Sequence, residues 1–186
     1  SIDHSLEVVS LKINVFRTDL PLSLCIFAAM ECVLLCVGKT DQAELKQLID
    51  LYQNRLKHYT KFSLVVIDDI KNSKNLSEKQ QKEAEGKALE KNLKAGDRIV
   101  LLDENGKNFS SIAFSEWINK QQISGVKRLV FIIGGPYGFS ANIYALAQQK
   151  ISLSSMTFSH QMVRLFFVEQ LYRAHTILKN EPYHHR

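Results

Sequence analysis

Alternation constrains this chain more than any single residue does. Five apolar runs read as strands: ECVLLCVG (31–38), FSLVVIDDI (62–70), RIVLLDENGK (98–107), KRLVFIIGG (127–135) and KISLSSMTF (150–158). A stretch with helical spacing follows each one. In the first, DQAELKQLIDLYQNRLKHY (41–59), Leu45, Leu48, Ile49, Tyr52, Leu56 and Tyr59 share a face, and Asp41 with Glu44 predicts a capping box. The second starts at Ser77 with Gln80, stops at Gly96, and offers only a thin apolar stripe of Ala84, Ala88, Leu89 and Leu93. It is expected on the surface. Further helices span 110–125, 140–149 (capped by Ser140) and 159–180, and Asn105-Gly106 predicts a turn after the third strand. Strands that alternate with helices predict an α/β fold, a mostly parallel sheet with helices on both faces. Residues 1–29 do not follow this rhythm. They are expected to be an extension, with 30–186 as a single domain.

With 45% apolar and 23% charged residues in 186, the chain can bury an ordinary core, which excludes disorder over most of its length. A formal charge of +5 permits a phosphate-rich partner without demanding one. Cys25, Cys32 and Cys36 are odd in number and clustered, which argues against a disulfide framework, and no Cys/His group beside them suggests zinc. The expectation is reduced, buried thiols in a cytosolic protein. No apolar run reaches the roughly 20 residues of a membrane span. LPLSLCIFAAM (20–30) lacks the basic flank of an export signal, since Asp3, Glu7 and Asp19 precede it.

In open α/β sheets, ligands collect at the carboxyl ends of the strands. Three segments here end in residues suited to that edge: LLDENG (101–106), IGGPYG (133–138) and LSSMTF (153–158). The glycines of IGGPYG fit two readings. They can form a tight turn, or a bare backbone shelf against which a flat ligand lies. The spacing is neither that of a phosphate loop nor G-x-G-x-x-G. The last helix also has two readings. His160, Arg164, Glu169, Arg173 and His175 stud a face opposite Val163, Phe166, Phe167, Leu171, Ala174 and Leu178, and NEPYHHR follows. This is either an amphipathic helix with a Glu169–Arg173 pair or a basic, aromatic cluster that meets nucleic acid.

Taken together, VGKT, FIIGGPYGFS, ISLSSMTFSHQMVRLFFVEQLYRAHTIL and NEPYHHR resemble the RlmH family of small bacterial ribosomal RNA large-subunit methyltransferases, of the knotted SPOUT class, from Met30 to Arg186. The resemblance implies S-adenosylmethionine as methyl donor. It implies transfer to N3 of a pseudouridine in helix 69 of 23S ribosomal RNA, on the assembled ribosome in the cytoplasm, without metal or membrane. It also implies a homodimer and a deep C-terminal trefoil knot, where strand order alone predicts an ordinary doubly wound sheet.

Carried over by position, the cofactor pocket includes Leu102, Gly134, Leu153, Ser154, Ser155, Met156, Thr157 and Phe158. Many relatives have Lys where Ser155 stands, so that side chain is not expected to be essential. Gly134 and Gly135 are expected to stay bare because side chains there would collide with the cofactor. Proton handling is assigned to His184 and anion contacts to Arg164 and Arg173, with Tyr183, His185, His160 and Glu169 as further candidates. In a dimer, the tail of one subunit would reach the cofactor of the other. The alternative is a non-catalytic ribosome-binding factor that retains the fold. It would carry bulky residues at Gly134 or Gly135. A dehydrogenase would need a glycine fingerprint after the first strand, where GKTDQ stands.

Overall fold

Two inner strands are apolar after their charged first residues because both of their faces are covered. In the computed structural model, which describes residues 30–70 and 75–184, these are β1 (Glu31–Val37) and β4 (Arg128–Ile133). Chain order is β1, α1 (Ala43–Leu56), β2 (Lys61–Ile67), α2 (Glu78–Glu90), β3 (Arg98–Asn108), α3 (Ser111–Ile123), β4, α4 (Ala141–Leu146), β5 (Gln149–Ser152) and α5 (His160–Leu178). The expectations for residues 1–29, Cys25 and His185 fall outside the described residues.

The sheet has five strands in the order β2-β1-β4-β3-β5, and every pairing is parallel. Alternate side chains of β1 go to opposite cores, as a two-residue period requires. Cys32, Leu34 and Cys36 join α1, α3 and α5 in one core, while Val33, Leu35 and Val37 join α2 and α4 in the other. Crossovers through α1 and α3 step toward the β2 edge; those through α2 and α4 step toward the β5 edge. Keeping one hand of connection forces this division of helices between faces. Cys32 and Cys36 are free and buried, and burial pushes both thiols up to about 12.

The expected α/β class, element order and two-sided cover are present. The Ser77–Gln80 capping box forms, with the Ser77 hydroxyl accepting from the Gln80 amide and the Gln80 side chain accepting from the Ser77 amide. Four local expectations are corrected. Helix α1 has no capping box; the Asp41 amide instead donates to Gln161 Oε1 at 3.1 Å, tying the helix start to α5. Helix α2 ends at Glu90, well before Gly96. Asn105-Gly106 closes no turn: β3 runs through it, Leu102 and Lys107 both pair with Ile151, and residues 103–106 bulge out between them. The final strand stops at Ser152 and residues 153–158 form a loop, in which the Ser152 hydroxyl donates to the Ser154 carbonyl and the Ser154 hydroxyl accepts from the Met156 amide.

Candidate functional site

Parallel strands put all their carboxyl ends on one edge, so the segments leaving β3, β4 and β5 converge there. Between them lies a hollow of about 540 Å³. Of the eight residues assigned to a cofactor, Leu102, Gly134, Leu153, Ser154, Met156, Thr157 and Phe158 line it; Ser155 is exposed and outside the lining. Ile133, Ile151 and Val163 add apolar wall, while the loop backbones supply amides and carbonyls. Such a volume and such a lining suit a nucleoside-sized ligand.

The glycine turn is the tight turn that one of the two readings allowed. The Gly138 amide donates to the Gly135 carbonyl at 3.2 Å, with Pro136 following Gly135 and Gly138 at φ +80°. That is a tight turn whose last residue sits in the left-handed region. The protein's own atoms also crowd both glycines. A Cβ on Gly134 would meet the Phe139 ring at 3.0 Å, and one on Gly135 would meet the Glu85 carboxylate at 2.5 Å and 2.6 Å. At both positions the missing side chain makes room for the protein's own atoms.

Two polar groups stand at the rim: Tyr144, which the sequence did not single out, and His160, one of the further candidates for proton handling. The Tyr144 hydroxyl donates to Asp103 Oδ2 at 2.6 Å, across from the β3 bulge. Burial and that carboxylate push the Tyr144 phenol up to about 12. His160, at the first turn of α5, lines the hollow itself. Burial and then the nearby Arg164 cation hold its imidazole below the ordinary range, against an opposing pull from Asp69 and Asp41.

The charged face expected for α5 is partly inverted. Arg164 is fully buried, and its guanidinium donates to the Val37 carbonyl at 2.7 Å and to the Thr40 hydroxyl at 2.9 Å. It clamps α5 to the end of β1 and does not face solvent in this chain. His175 is 4% exposed, and burial lowers its imidazole to about 4. The reason is spacing. Stepping by helical turns from Phe167, Leu171 and Ala174 passes through Arg164 and His175, so position puts both inside despite their chemistry.

The remaining tail candidates form one cluster at the far end of α5. Glu169 Oε1 receives the Arg173 guanidinium at 2.5 Å and the Tyr183 hydroxyl at 3.0 Å. The Tyr183 ring stacks edge-on against Tyr172, with Arg173 lying 4.7 Å over it. Tyr183 also meets the Tyr52 hydroxyl at 3.1 Å, and His184 Nδ1 lies 3.5 Å from Arg173. The Glu169 bond raises the Arg173 value, and burial followed by the Tyr52 and Glu169 bonds raises that of Tyr183. Thirteen residues of α5 separate His160 from Arg173, roughly 20 Å at 1.5 Å per residue. Within one chain the cluster therefore stands away from the hollow.

Among the described residues, no helix is long and apolar enough to cross a membrane. A family model described as "Predicted SPOUT methyltransferase" matches residues 30–184. Over 157 residues, 84% of this chain, it is 61% identical to the whole of a "Ribosomal RNA large subunit methyltransferase H" from Christiangramia forsetii. It is 63% identical over the same length to a protein of that name from Flavobacterium johnsoniae, also covered in full. A third so named, from Porphyromonas gingivalis, is 51% identical over 156 residues, 84% of this chain and 99% of the relative.

Proposed function

The chain belongs to the SPOUT methyltransferase family, and within it to the ribosomal RNA large subunit methyltransferases H; on that premise we propose that it methylates N3 of a pseudouridine in helix 69 of 23S ribosomal RNA, on the assembled ribosome in the cytoplasm, as a knotted homodimer that uses S-adenosylmethionine. The observation that carries this reading is the open hollow bounded by Leu102, Gly134 and the 153–158 loop. Leu102, Ile133 and Leu153 would flank an adenine, and main-chain amides and carbonyls of the three loops would bond its edge. Bound there, S-adenosylmethionine supplies a methyl carbon made electrophilic by its sulfonium.

The protein's own residues must then hold the acceptor and take one proton. N3 of pseudouridine carries a weakly acidic imide proton, which has to leave for the nitrogen to attack. His184 takes that proton, and Arg173, oriented by Glu169, faces the anion that remains. Because the tail cluster stands roughly 20 Å along α5 from its own hollow, the tail serves the hollow of the partner copy. A second reading has its own observation: His160 lines the hollow of its own subunit, and burial and Arg164 lower its imidazole. In that case the base would act in cis.

Calorimetry with S-adenosylmethionine tests the hollow, and primer extension on ribosomes lacking the modification tests the reaction. A chain cut after Asn180 should bind cofactor and fail to methylate. Co-expressing His184→Ala with a chain blocked at the hollow by Leu153→Trp should restore activity through mixed dimers. No restoration, together with inactivity of His160→Ala, would favour the cis base.

A further inference from the structure

Helix α2 carries a carboxylate that the proposed chemistry does not use. Glu85 is 4% exposed, and it sits on a helix that is otherwise largely lysine, glutamate and glutamine. Its Oε1 accepts from Gln81 Nε2 at 2.9 Å, while Oε2 has no hydrogen-bond partner. An orphaned buried carboxylate oxygen is costly, and a chain retains one where it has a use. The carboxylate lies where a Cβ on Gly135 would point, so close that a methyl group would not fit there. The next residue, Gly86, sits against Ser140 in the same way, with no room for a Cβ beside the Ser140 hydroxyl. That hydroxyl in turn caps α4 by accepting from the Ile143 amide. Adjacent residues of α2 therefore touch the first and the last parts of the loop 135–140.

We infer that Glu85, with Gly86, is a positioning residue that fixes the glycine loop from below and so sets the height and tilt of the main-chain shelf facing the hollow. Its surroundings fit that role. Burial raises its pKa, the Gln81 bond opposes the rise, and nearby Asp69 adds to it. The carboxylate meets the loop by close approach at Gly135, and Glu85 is not among the residues that line the hollow. The inference rests on the reading of the hollow as the S-adenosylmethionine site.

The test measures S-adenosylhomocysteine binding by calorimetry, methylation kinetics on ribosomes, and melting temperature, for wild type, Glu85→Gln and Glu85→Ala. In Glu85→Gln, cofactor Kd and KM should rise about tenfold, kcat at saturating cofactor should fall less than threefold, and melting should shift little. A residue that only supports folding would lower melting and leave Kd unchanged, which would overturn the inference. Should Glu85→Gln fail to fold, Gly135→Ala in a Glu85→Ala background supplies the second arm. There the methyl group occupies the vacated space, and unaltered cofactor affinity would overturn the inference. Wild-type protein that does not bind the nucleoside would remove the cofactor reading itself; wild-type binding with unaffected variants would remove only the role of Glu85.

Discussion

The phenol of Tyr183 donates to Oε1 of Glu169 at 3.0 Å, the same oxygen that receives the Arg173 guanidinium at 2.5 Å. One carboxylate oxygen thus orders both the tail and the last charged side chain of the helix. The tail is tied down within its own subunit before any partner or RNA is considered. A tail ordered in advance loses less entropy when it meets a substrate.

That bond can be removed without disturbing the ring stack. Tyr183→Phe keeps the contact with Tyr172 and loses the bonds to Glu169 and Tyr52. Unfolding free energy should fall by about 1 kcal/mol, the net worth of a partly exposed hydrogen bond. Cofactor affinity should hold, and ribosome methylation should drop at least tenfold. Urea titration, calorimetry and primer extension read the three quantities; full methylation would confine the phenol to tying the tail.

Arg164 separates a structural clamp from an RNA contact. Arg164→Ala removes both of its bonds and leaves the Val37 carbonyl buried without that donor. The expected loss is about 2–4 kcal/mol of stability, from a charged hydrogen bond and a cavity together. Equilibrium unfolding in urea measures it. Unchanged stability with weakened ribosome binding would instead restore the anion-contact role.

His175 should make the protein sensitive to acid. Its imidazole lies at about 4 in the fold against an ordinary 6.5, so the unfolded chain binds the proton more readily. Stability is then lost as pH falls from 6.5 toward 4, and no further below that. The loss by pH 4.5 is about 2–3 kcal/mol. His175→Phe should flatten the pH dependence of urea unfolding across that window relative to wild type.

Gly106 tests the β3 bulge. A Cβ there would meet backbone atoms of Ile151 at 2.5 Å, and backbone cannot swing aside as a side chain tip can. Gly106→Ala should cost about 1–3 kcal/mol through overpacking. Because Ile151 leads directly into the 153–158 loop, cofactor affinity should weaken as well, which calorimetry detects. Gly106→Ala with wild-type stability would mean the two strands part without cost.

Much of the molecule was legible in the residues. Runs with a two-residue or a 3.6-residue period determined five strands and five helices in order, and that order determined a parallel sheet with its carboxyl ends, and so the three converging loops, on one edge. Local chemistry placed the caps at Ser77 and Ser140 because a hydroxyl and an amide three residues apart suffice for them. Gly86, a glycine inside a helix, is a sequence sign of the close approach between α2 and the loop at Ser140. Other features depended on partners far along the chain. Asn105-Gly106 is a bulge because Ile151 pairs on both sides of it. Gly134 and Gly135 have no room for a Cβ because Phe139 and Glu85 crowd them. Arg164 is buried because α5 lies between α1 and α3, where the Val37 carbonyl, 127 residues earlier, accepts from its guanidinium. Periodicity is a property of neighbours in sequence, whereas the burial of a charge depends on which distant backbone group is free to receive it.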